Sequence, residues 1–302
     1  MIAQFALRLI CGMSLMWAVM PRREVASGFF RIQMLVVMGL GVLASLATVM
    51  QVQAEQAMWR AAARPPATDW FTSPVAEGAP AALIGFAGFL GSAFWTLERR
   101  TGAERIGFAV LAISAAWLIA TNLTLGMQFL QPQSEISNTF ATIIARILHS
   151  QGWRPWHDGL SVLSQFSGAA VLGGTVVGML LGHWYLTAPT MSIDPLKRMN
   201  VCLGIAGMIR LLVSAVVLAL LWVGMFDAPE AGSRWMAVPK VWLGLRWLAG
   251  VFGPMAVSLM VSRILKYRNT QAATGVLFVG VILAFIGDMT AALLLQETKL
   301  PF

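Results

Sequence analysis

Eight stretches of this chain are long and apolar enough to cross a bilayer, and no other feature limits the fold as strongly. A hydrocarbon core takes about 20 mainly apolar residues per helix, with a range of about 17 to 25. Runs of that kind fall near residues 3–20, 32–50, 80–97, 106–126, 160–187, 200–225, 236–260 and 272–295. Backbone N–H and C=O groups in lipid must be satisfied within the segment, so such runs fold as helices. The expected fold is all-α: a polytopic integral membrane helical bundle, with residues 1–302 as a single integral membrane domain and external segments at 51–79 and 127–159. Composition agrees, because 58% of the residues are hydrophobic and 11% charged, against roughly 45–50% and about 25% in soluble domains. A soluble enzyme is excluded. The first run is interrupted by Arg8, and a secretory signal would place its positive charges ahead of the run and a small-residue cleavage site after it. Here Arg22 and Arg23 follow the run, so it reads as a retained helix.

The chain holds 21 Lys and Arg against 13 Asp and Glu, a formal charge of +8. With no basic tract or nucleic-acid motif, that excess speaks to membrane orientation, since Lys and Arg in short loops stay on the cytoplasmic side. Arg22, Arg23, Arg31, Arg99, Arg100, Arg105, Lys197, Arg198, Arg263, Lys266 and Arg268 fall to one side of the eight spans. Arg60, Arg64, Arg146, Arg154, Arg234, Lys240 and Lys299 fall to the other, in longer loops that the rule weights less. Both termini are therefore expected outside, in a bacterial inner (plasma) membrane. Between 136 and 148, Ile136, Phe140, Ile143, Ile144, Ile147 and Leu148 recur at helix spacing opposite Asn138, Thr142, Arg146 and His149. This segment reads as an external interfacial amphipathic helix anchored by Trp153 and Trp156. A docking lid for an extrinsic subunit is the sharper alternative. No repeat with a period of 20 to 50 residues is visible, and the halves show no matched pair of broken helices, which weakens an inverted-repeat transporter.

Ionisable residues inside spans are costly, and they usually face partners or water. Arg8, Arg210, Arg246 and Asp288 stand out. Arg246 and Asp288 lie at nearly the same depth from the outer ends of their helices, at about 1.5 Å per residue. They are expected to form a buried ion pair, which removes most of the cost of two isolated charges. Arg210 has no carboxylate at its depth in its own helix, and its guanidinium suits a carbonyl, a lipid phosphate or a cofactor oxygen.

The densest motif is in the fifth run, where Gly174, Gly178 and Gly182 form a stripe at four-residue spacing that lets another backbone or a flat ligand approach closely. His183, Trp184 and Tyr185 follow at once, with Asp194 beyond. Hydrogen-bonding groups at the mouth of an apolar groove suit a quinone headgroup, so His183, Trp184, Tyr185 and Arg210 are the expected quinone-binding residues and the three glycines the helix-packing groove. Haem is disfavoured. Of the three histidines, His149 and His157 fall in the external segment, about 35 Å along the helix axis from His183. Cys11 and Cys202 lie in apolar runs and offer neither a disulfide framework nor a metal site. Nucleotide-binding, zinc-hydrolase and serine-hydrolase motifs are missing, and no residue is assigned a catalytic role.

These features suit a haem-free integral membrane subunit of a multi-subunit respiratory or electron-transfer complex. It would anchor membrane and extrinsic partner subunits, bind lipid and handle quinone or quinol near His183, without being catalytic alone. The alternative is a structural or assembly subunit that packs other membrane chains and lipid. A small-solute transporter ranks third, because Asn122, Thr124, Gln165 and Ser214 are too scattered to outline a polar path.

Overall fold

The computed structural model describes residues 2–61, 74–128, 155–188, 191–223 and 238–298. Among these residues every regular element is helical, and eight helices are long and apolar enough to cross a membrane. They are α1 (Ile2–Val19), α2 (Ser27–Ala61), α3 (Pro74–Thr96), α4 (Arg100–Gln128), α5 (Pro155–Thr187), α6 (Asp194–Trp222), α7 (Lys240–Lys266) and α8 (Thr270–Thr298). The protein is a polytopic helical membrane bundle. Proline marks several starts, where its missing N–H is harmless and its fixed φ suits the first turn: Pro74 and Pro155 open α3 and α5, and Pro195 sits in the first turn of α6.

The helices are longer than hydropathy alone marks. Residues 51–61 and 74–79, expected outside, are continuations of α2 and α3. Their alanines are strong helix formers that a hydropathy criterion does not count as membrane. Helix α7 is displaced toward Lys266 relative to the expected 236–260, because Arg263 and Lys266 occupy its last turn, where cations meet the negative end of the helix dipole. The amphipathic segment 136–148 with Trp153, and also Arg64, Arg234 and Lys299, lie outside the described residues.

By backbone contact the chain divides into two compact units: residues 1–10 with 30–162, and residues 11–29 with 163–302. In the first unit α2 crosses α3 at small residues. A Cβ on Gly41 would stand 2.5 Å from the Gly85 nitrogen, and one on Gly88 2.7 Å from the Met38 nitrogen. Near the α3–α4 turn, Phe30 stacks on Trp95 with centroids 4.7 Å apart and planes 16° apart.

In the second unit α1 meets α5 where Gly12 and Gly173 touch backbone to backbone, so that a methyl on either would overlap the other helix. Helix α6 meets α7 through a reciprocal clasp: Asn200 Nδ2 donates to the Ser258 carbonyl at 2.9 Å, and Ser258 Oγ donates to the Asn200 carbonyl at 3.0 Å. Gly204 and Gly207 extend that contact against Ser258 and Met255. Helix α7 carries a π-helical turn at Leu248–Phe252, with Pro254 two residues beyond it. The proline has no N–H for the carbonyl four residues back and its ring crowds that carbonyl, so the turn widens by one residue ahead of it.

The α3–α4 and α7–α8 connections are the same turn. Glu98 and Arg268 both adopt left-handed backbone, at φ 54° and 56°, a conformation that costs non-glycine residues roughly 1 kcal/mol or more. Each donates its N–H three residues back, to Trp95 and to Leu265. Each accepts from the residue two ahead, Arg100 at 2.9 Å and Thr270 at 3.2 Å. Ala103 and Ala273 close the first helical turn onto Arg99 and Asn269, and both alanines are fully buried. The correspondence extends to the preceding helix, because Gly41 faces Gly85 in the first unit as Gly207 faces Met255 in the second. Helices α2–α4 and α6–α8 thus repeat one three-helix scaffold, at a separation far beyond the periods a sequence scan for short repeats covers.

Candidate polar sites in the second unit

Two groups of polar residues occupy opposite ends of the second unit. At the end of α5, His183 is exposed, Trp184 is half-buried and Tyr185 is buried. The Trp184 indole edge lies 3.2 Å from where a Cβ on Gly28 would stand, and its ring meets Phe29 edge-on at 6.1 Å. The Tyr185 hydroxyl donates to the Ser192 carbonyl and ties α5 to the start of α6. Ser192 Oγ and Asp194 exchange hydrogen bonds at 3.2 and 3.3 Å, and Lys197 pairs with Asp194 at 3.4 Å on the surface. Of the expected headgroup ligands, Tyr185 is committed to its own backbone and His183 points outward.

The glycine stripe is filled by helix. Gly174 faces Leu203 of α6, Gly178 faces Leu277 of α8, and a Cβ on Gly182 would stand 3.3 Å from Thr274 Cβ. The groove packs α8 and α6, with no width left along it for a flat ligand in this arrangement.

Arg210 is not in that site. Its Nη1 donates to the Ser164 carbonyl, to Ser164 Oγ at 2.7 Å and to Ser167 Oγ at 3.3 Å. The guanidinium lies over Gly168, with Cζ 3.6 Å from a notional Cβ there. Ser164 stands nineteen residues before His183 on α5, about 28 Å of helix, so Arg210 and His183 cannot grip one headgroup.

Arg246 and Asp288 are both buried, at 2% and 5% relative exposure. Gly250 of the π turn crosses Gly287 of α8, and a Cβ on Gly250 would overlap Arg246 Nη1 and stand 2.8 Å from Gly287 Cα. The guanidinium is therefore folded along its own helix into the crossing, beside the residue that precedes Asp288. Arg8 is likewise buried, in the first unit, as is Gln33. Among the described residues no three His, Cys, Asp or Glu side chains converge as a metal would require. Among the described side chains the chemistry available is that of guanidinium, carboxylate, hydroxyl and the exposed imidazole of His183.

Comparison with protein-family models, with curated proteins and with solved structures gave no match. Function must be argued from this chain alone.

Proposed function

We propose that the chain is a haem-free membrane subunit of a multi-subunit electron-transfer complex, and that quinone or quinol meets it at the α5 end, near His183 and Trp184. The supporting observation is the exposed His183 side chain at a helix end, next in sequence to Trp184, whose ring meets Phe29 edge-on. An imidazole can both donate a proton to a quinone oxygen and accept one from it. Electrons would come from a cofactor on a partner subunit. On this reading the ligand lies against the outer face of α5, because the glycine groove is occupied by α8. The same reading has the α5 end facing the cytoplasmic side of a bacterial inner membrane, with both termini outside, the orientation that the short-loop basic residues favour.

The test is photolabelling of the complex from native membranes with a quinone bearing a photoreactive tail, combined with His183→Ala. Labelled peptides from 180–188, and a drop in quinone-dependent turnover of about 10- to 100-fold with the complex assembled, support the proposal. Unlabelled α5 and unchanged turnover overturn it.

The second reading, a structural or assembly subunit, draws support from the filling of the Gly174, Gly178 and Gly182 stripe by α8 and α6. It predicts that His183→Ala lowers assembly while turnover per assembled complex is unchanged.

A further inference from the structure

Arg210, Arg246 and Asp288 come from three helices of the second unit, and two independent helix registers bring them to one level. On α5 and α8, Gly182 faces Thr274, Gly178 faces Leu277 and Thr175 faces Gly280. Each step of three or four residues up one helix is matched by a similar step down the other. Extended by two further turns, the same register would set Val171 against Ala284, and Ser167 and Gly168 against Gly287 and Asp288, all of them buried. Gly168 is the residue over which the Arg210 guanidinium lies, and Ser167 is one of its acceptors. From the other side the Gly250–Gly287 crossing brings Arg246 Nη1 to the same turn of α8. On that register Asp288 would stand between two guanidiniums, one arriving over α5 and the other along α7.

The repeated scaffold adds a second, separate argument. Asp288 lies twenty residues beyond Arg268 of the α7–α8 turn, and twenty residues beyond Glu98 of the matching turn stands Leu118, equally buried. Arg210 lies three residues after Gly207, and three residues after its counterpart Gly41 stands Ala44, fully buried. The π turn interrupts the correspondence before Pro254, so Arg246 has no such counterpart. One scaffold is therefore built twice, with Ala and Leu in the first unit where the second has Arg and Asp.

We infer that Arg210, Arg246 and Asp288 form a single charge site within the membrane, with Asp288 shared by the two arginines, and that the scaffold itself does not require it. Buried ion clusters are often no more stabilising than apolar residues of similar volume, while removing one member strands the others. A site of this kind is kept for handling charge or a polar group inside the bilayer.

The experiment compares Arg210→Ala, Arg246→Ala and Asp288→Leu, singly, in pairs and together, by thermal unfolding of the purified full chain in detergent. Each single change is expected to lower the midpoint by on the order of 10 °C, and the triple variant to recover to within a few degrees of the unaltered protein. Losses that add from single to triple overturn the shared site, and so does an additive Arg210→Ala with Asp288→Leu pair. The register is tested without touching the charges, by Val171→Cys with Ala284→Cys in a background of Cys11→Ser and Cys202→Ser. A disulfide on mild oxidation supports it, and failure to cross-link in folded protein overturns it. None of these readouts depends on His183 or on quinone.

Discussion

The α3–α4 and α7–α8 hairpins share a turn and differ in what they enclose. Both close over a left-handed residue, Glu98 or Arg268, and both seat a fully buried alanine one turn later. Yet only 22% of the apolar window of α4 is buried inside the protein, against 50% for α8. Most of α4 therefore faces its surroundings, where a charged side chain would meet hydrocarbon, and its buried face is made of Ala103, Val110, Ser114 and Leu118. Helix α8 is enclosed on more sides near Gly287, and there it carries Asp288. The difference teaches that the turn and the small-residue crossings specify the scaffold, while enclosure decides which copy can hold a charge.

The largest effect should come from breaking the Arg246 and Asp288 arrangement. Arg246→Ala and Asp288→Ala are each expected to cost about 3–5 kcal/mol by unbalancing the buried charges, with part of the loss recovered in the double variant, and the rest only when Arg210 is replaced as well, when unfolding is followed in detergent. Purely additive losses would separate the two residues. Next in size are the helix crossings. Gly173→Leu would drive a side chain into the backbone at Gly12 and should cost about 3 kcal/mol, whereas Gly275→Leu, with nothing within 4 Å, should change stability by less than about 0.5 kcal/mol. Equal losses at the two glycines would show that propensity, and not close approach, governs this scaffold. The smallest expected effect is at the α6–α7 clasp. Asn200→Ala should cost about 1 kcal/mol, in keeping with interhelical hydrogen bonds measured in membranes, with Ser258→Ala adding little more once Asn200 is gone.

Much of the architecture could be read from the chain. Span length and hydropathy located the eight membrane-length helices found among the described residues, because the requirement for internal backbone hydrogen bonding leaves a membrane segment few alternatives. The depths of Arg246 and Asp288 could be counted along the chain in the same way, since helical rise is constant. The glycine spacing of α5 announced close packing, although nothing in the spacing said that α8 would fill the stripe. The assignment of Arg210 to the His183 end failed on geometry, because depth within one helix does not reveal which neighbour a side chain reaches. The repeated scaffold was hidden because it resides in backbone angles and crossing points, and the residues at matched positions differ as widely as Leu118 and Asp288.

The π turn at Leu248–Phe252 makes the length of α7 a determinant of its chemistry. A helix advances about 100° per residue, so the one residue accommodated in that wide turn sets the rotational phase between everything before it and everything after. Deleting a single residue there would let the span run as ordinary α-helix, leaving the Asn200 and Ser258 clasp in place while swinging Arg246 about 100° around the axis and away from α8. A change that leaves hydropathy, span count and topology untouched would then move a cation from the protein interior toward lipid. In this chain a one-residue insertion or deletion acts as a rotation.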